Sequence, residues 1–93
     1  MAKQIIWSLR AQKEKREILK YWSQRKKLNQ LFKESINLIL EHPQIGKLTD
    51  SPSVRIKIIK EYLMIYEVSE TSISILSIWD GRQDPAKLDD ILK

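Results

Sequence analysis

The hydrophobic period of this chain changes from helical to alternating after residue 43, and that change restricts the possible folds more than any other feature. From Leu28 to Glu41 apolar residues recur at helical spacing, with Leu28, Leu31, Phe32, Ser35, Ile36 and Ile39 on one stripe. Pro43 ends the run, because the residue before a proline is pushed out of helical backbone. Pro43, Gly46, Ser51 and Pro52 mark the next dozen residues as a loop. After it the period is two: Val54, Ile56 and Ile58 alternate with Arg55, Lys57 and Ile59, which predicts a half-buried strand. A second strand follows over 62–68, where Tyr62, Met64, Tyr66 and Val68 oppose Leu63, Ile65 and Glu67. Ser69, Glu70 and Thr71 form a turn, and residues 72–79 give a third strand ended by Asp80-Gly81. Isoleucine on both of its faces predicts a central position in the sheet.

Upstream, Lys3 to Trp7 reads as a short strand and Ser8 as the N-cap of a helix over 9–26. Ala11, Ile18, Leu19 and Trp22 line one side of that helix, while Arg10, Lys13, Glu14, Lys20 and Lys27 point elsewhere. With almost no linker between them, the two helices are expected to form an antiparallel hairpin that needs a sheet to cover its apolar face. The fold class is therefore α+β: an N-terminal strand, the helix hairpin, then a three-stranded antiparallel meander completing a small sheet. Its 93 residues suit one domain over 1–93. The tail from Pro85 reads as a short helical turn.

Composition narrows the function classes. The first fifty residues hold eleven basic and five acidic side chains, and the remainder six and seven, so the net +5 belongs to the first half. Such a surface attracts RNA, DNA, ribosomes or an acidic protein, and a solvated helix face accounts for many of the lysines. With no cysteine and one histidine, neither a thiolate nor an imidazole cage can form, although carboxylates remain able to hold a hard cation. A mechanism without metal or cofactor is expected. No long apolar run and no apolar leader are present, so a soluble cytoplasmic protein with no membrane partner is expected.

Particular residues, in this order, resemble the RelE/ParE superfamily of toxins. They are Trp7 to Ala11 leading into the first helix, His42-Pro43 with Gly46-Lys47 after the second, and Val54-Arg55 opening the meander. Tyr62 to Tyr66 follow in the middle strand, then Ile78 to Arg82 and Asp84-Pro85 at the end of the last. The resemblance implies a toxin encoded beside a cognate antitoxin, an acidic and partly disordered chain that wraps and neutralises it. Operator DNA would be reached only through that antitoxin. Some members enter the ribosome and cleave messenger RNA, while the ParE branch poisons DNA gyrase. A shared fold does not choose between those targets.

For RNA cleavage, the ribose 2′-hydroxyl attacks the neighbouring phosphate, which requires a base, cations to hold the added negative charge, and an acid for the leaving oxygen. The resemblance places basic site residues at Arg55 and Lys57 on the strand after the loop and at Arg82 after the last strand. It also implies an arginine just after Tyr62, where Leu63 stands, and a C-terminal tyrosine, where Leu88 is nearest. A proton carrier would then come from Glu61, Tyr62, Tyr66, Glu67, Asp80 or Asp84. Each of these residues has a plainer reading. Arg55 and Lys57 fit a solvent-facing strand side, and Arg82 fits an ion pair with Asp80 or Asp84. Tyr62 and Tyr66 fit the core, His42 fits a helix C-terminus, and the three tryptophans fit core or antitoxin contacts. The expected function is ribosome-dependent, metal-independent RNA cleavage; the alternatives are gyrase poisoning without catalysis and a degenerate toxin that only binds its antitoxin.

Overall fold

The computed structural model describes residues 3–20 and 25–81. Two helices, α1 (Leu9–Lys20) and α2 (Arg25–Glu41), cover one face of a five-stranded sheet. The strands are β1 (Gln4–Trp7), β2 (Lys47–Leu48), β3 (Val54–Ile59), β4 (Tyr62–Val68) and β5 (Ser72–Asp80), in the order β1-β5-β4-β3-β2. β3, β4 and β5 form the expected antiparallel meander. β1 returns parallel to β5, with Gln4 opposite Ser72 and Trp7 opposite Ile75, so β5 is flanked on both sides. No helix among the described residues is long and apolar enough to cross a membrane.

The α2 stripe packs as its spacing requires: Leu28, Phe32, Ser35 and Ile39 are buried, with Leu31 and Ile36 half-buried beside them. α2 begins earlier than the stripe does, because Arg25, Lys26 and Lys27 form its first turn rather than a link between helices. The end of the first helix read over 9–26 falls partly on residues 21–24, outside the described residues. The helices run antiparallel: Leu19 and Asn29 line one pocket, and Lys15 is close enough to Lys33 to feel its charge.

The loop after Pro43 contains a strand that its sequence does not announce. Lys47 and Leu48 pair with Ile56 and Arg55, but two residues carry no period and both are exposed. β5 differs from its reading in a more instructive way. Ile65 pairs with Ser77 while Tyr66 pairs with Ile75, which leaves Leu76 as a bulged extra residue. The bulge moves the alternation by one place, so Ile73, Ile75 and Ile78 all join the helix-side core. The isoleucines that seem to occupy both faces occupy one.

Ser8 caps α1, accepting the Ala11 N–H at 3.0 Å, and its hydroxyl donates to the Leu76 carbonyl at 2.8 Å. β1 ends at Trp7, so the edge of β5 beyond Ile75 lacks a strand partner. Glu14 of α1 takes its place, accepting from the Ser77 hydroxyl at 2.8 Å and from the Ile78 N–H at 3.2 Å. Glu14→Ala leaves that N–H and a fully buried hydroxyl unpaired and is expected to cost about 1.5–3 kcal/mol of folding free energy, read by urea unfolding. A loss below about 0.5 kcal/mol would mean that water replaces the carboxylate.

Candidate functional site

Of the residues singled out for a site, Arg55 and Lys57 lie on β3, and the register decides which side chains share their face. β3 and β4 are joined by Lys60-Glu61, and Arg55 pairs with Tyr66, Lys57 with Met64 and Ile59 with Tyr62. Tyr62, Met64 and Tyr66 belong to the core beneath the helices. Arg55 and Lys57 therefore project from the helix-side face near the edge of the helix pair, each half-buried. Val54 and Ile56 join Ile65, Leu63, Leu76 and Trp79 in a separate apolar cluster on the other face.

Arg55 is tied to the chain that follows α2. Its Nη1 donates to the carbonyls of Gln44 and Gly46, both at 3.0 Å. Tyr66, opposite it, donates its hydroxyl to the Pro43 carbonyl at 2.9 Å and accepts the Gly46 N–H at 2.9 Å. Burial raises the Tyr66 pKa above the usual phenol value, and the Gly46 N–H and the Arg55 charge oppose that shift. A phenol that already donates and accepts, and that holds its proton more tightly than usual, is poorly placed to act as a base. His42 follows the last residue of α2 with its N–H on the Leu38 carbonyl, as a helix C-terminal residue should be.

Lys57 stands on the same face two residues nearer the β3–β4 turn. Beyond it, Asp80 pairs with Tyr62, and the Gly81 N–H reaches the Glu61 carbonyl at 2.8 Å. At about 3.3 Å per residue, Arg55 stands four residues, or roughly 13 Å, from the row that ends β5. Arg82 and Asp84 lie outside the described residues, as do Trp22 and Leu88. Tyr62 is buried against Phe32, with ring centroids 6.3 Å apart and planes at 73°, in the core role expected for it.

Leu63, which stands where RNA-cleaving relatives are expected to carry an arginine, pairs with Ile58 and Trp79. It lies on the face opposite Arg55 and Lys57. A cation at position 63 would thus project among apolar residues, away from the two basic side chains of β3. Two residues went unread as important in the sequence. Glu14 looked like one more charge on an exposed helix side, and only the missing stretch of β1 explains its use. Asn29 sits within the α2 stripe, where a polar residue is the available signal.

The family model described as the ParE toxin of the type II toxin-antitoxin system parDE matches residues 5–85. No protein of curated function matches the chain in sequence. Among solved structures, the chain is similar to one from the chromosomal ParDE toxin–antitoxin system of P. aeruginosa, with a TM-score of 0.72 at 17% identity over 85% of this chain and 96% of that one. It is also similar to the isolated E. coli RelE toxin, with a TM-score of 0.71 at 21% identity over 98% and 97% of the two chains. A mutant of E. coli RelE in complex with an antitoxin RelBc peptide matches with a TM-score of 0.71 at 22% identity, over 100% and 97%. These likenesses concern the fold. With the family model spanning β1 to the end of the meander and beyond, the chain belongs to the ParE toxin family of type II toxin–antitoxin systems.

Proposed function

We propose that this toxin stops growth by binding a protein target, DNA gyrase, rather than by cutting RNA. The observation that carries the reading is that β4 brings no cation to Arg55 and Lys57: position 63 is a leucine, and it lies on the other sheet face among Ile56, Leu76 and Trp79. Phosphate chemistry needs its cations and its proton carriers around one atom. Poisoning a protein target needs a binding surface and no proton relay. A cognate antitoxin, of the kind that the RelE complex contains, is the partner that holds the toxin inactive. Its acidic character would complement the net +5 of this chain.

One observation favours RNA cleavage as the second reading. Among the described residues Arg55 is anchored through Nη1, which leaves the rest of its guanidinium to meet a phosphate next to Lys57. Arg82 would be the third cation.

Parallel assays separate the two. Purified toxin is added to a gyrase supercoiling reaction read for cleaved DNA, and to translating ribosomes read by primer extension along the message. The expected result is trapped gyrase–DNA complexes with intact message, unchanged by Arg82→Ala. Site-specific message cuts that disappear in Arg82→Ala would instead establish the endonuclease, with Arg55, Lys57 and Arg82 as its site.

A further inference from the structure

On the far edge of the sheet from Arg55, where β1 meets the helix pair, the structure holds a pocket of about 520 Å3. That volume falls within the ~300–1,000 Å3 typical of small-molecule sites. Trp7 of β1, Gln12, Lys15, Arg16 and Leu19 of α1, and Asn29 of α2 line it. β5 and β4 stand between β1 and β3, so this pocket is separate from the Arg55–Lys57 face.

Several features of the lining ask for a ligand. Asn29 Oδ1 is buried and has no hydrogen-bond partner, whereas buried polar atoms are nearly always paired. Neither Lys15 nor Arg16 has a carboxylate partner among the described residues. Burial, and after it the charge of Lys33, holds the Lys15 pKa below the usual lysine value. Its ammonium lies 5.0 Å from the centre of the Trp7 ring, a contact that eases desolvation but supplies no counter-charge. The first turn of α2 holds Lys26 and Lys27 and no acidic residue, so it supplies no counter-charge.

Unpaired cations beside an unpaired acceptor fit a ligand that joins an anion to an N–H donor on a rigid planar body. We propose that this pocket binds a nucleoside monophosphate, free or at the 5′ end of a strand. The phosphate meets Lys15 and Arg16, a base N–H donates to Asn29 Oδ1, and the base lies against Trp7 and Leu19. A phosphate group brings roughly two negative charges and three acceptor oxygens, matching two cations. The single charge of a peptide carboxylate matches them less well.

Calorimetric titration of the free toxin tests this with AMP, GMP, CMP and UMP. Controls are adenosine, inorganic phosphate, a glutamate-rich peptide, and a tetranucleotide with and without a 5′-phosphate. At least one monophosphate is expected to bind at least tenfold more tightly than adenosine, inorganic phosphate or the peptide. Lys15→Gln with Arg16→Gln is expected to weaken it at least tenfold, and Lys15→Gln alone serves if the pair does not melt cooperatively. Asn29→Leu is expected to weaken the monophosphate but not inorganic phosphate, with Tm unchanged or raised because an unpaired buried oxygen is gone. Binding of the 5′-phosphorylated tetranucleotide at least as tightly as the monophosphate identifies a strand end as the source, and binding of the monophosphate alone identifies a free nucleotide. No saturable binding by any phosphorylated probe, equal binding by adenosine, phosphate or the peptide, or affinity unchanged in the lysine and arginine variants would overturn the proposal. The readout is binding, so it stands apart from whether gyrase or the ribosome is the target.

Discussion

Phe32→Ala is expected to lower the unfolding free energy by about 3–5 kcal/mol, the largest single effect of any substitution considered. Phe32 is fully buried at the middle of the α2 stripe, and its ring makes a T-shaped contact with Tyr62 of β4. Truncation removes the transfer energy of the ring and leaves a cavity between α2 and the sheet that buried neighbours such as Leu28, Met64 and Ile39 cannot fill without leaving their rotamers. A domain of this length is stable by roughly 5–14 kcal/mol, so the variant stands near the edge of folding. Phe32→Leu keeps most of the volume and should fold well enough for both to be placed on one urea scale. A loss below about 1 kcal/mol in Phe32→Ala would mean that the helix pair settles onto the sheet without this ring. In that case the periodic stripe would be a poorer guide to the core than its burial indicates.

The parts of the fold legible in the sequence are those where burial and periodicity agree over many residues. α2 and β4 each present one face to the core for their whole length, so Leu28 to Ile39 and Tyr62 to Val68 could be read directly. β5 could not, because the bulge at Leu76 changes its phase midway, and an alternation that slips by one looks like a strand apolar on both sides. The pairing of β1 with β5 depends on contacts nearly seventy residues apart, which no local pattern records. The candidate site shares that dependence. That Arg55 and Lys57 share a face follows from their spacing, but that position 63 lies on the other face follows only from the tight Lys60-Glu61 connection and the register it sets. The charge excess of the first half says how many cations the helices carry, not where they converge. It did not locate the pocket at Trp7, which needs α1, α2 and β1 brought together.

Gly46→Ala is expected to cost about 2–3 kcal/mol, and the reason is space rather than backbone freedom, since no glycine among the described residues has a positive φ. A Cβ at this position would lie 2.6 Å from the Tyr66 hydroxyl, 2.9 Å from Tyr66 Cε1 and 2.9 Å from the Ile56 carbonyl. Those contacts cannot relax independently. Moving the phenol breaks its bonds to Pro43 and Gly46, and moving the segment carries away the two carbonyls that hold Arg55. Tyr66→Phe alone should cost about 2 kcal/mol by leaving the Pro43 carbonyl and the Gly46 N–H unpaired. The two changes act on one contact, so they should not add. On the Tyr66→Phe background the alanine no longer meets a hydroxyl, and its cost should fall by at least about 1 kcal/mol. Urea unfolding of the two single variants and the double variant measures that coupling. Additive costs would assign the obstruction to the contacts that Tyr66→Phe keeps, the Ile56 carbonyl and the ring carbon Cε1, rather than to the hydroxyl. Coupling of the expected size would show that the Tyr66 phenol sets how closely the chain after α2 approaches the sheet, and through it where the guanidinium of Arg55 is held.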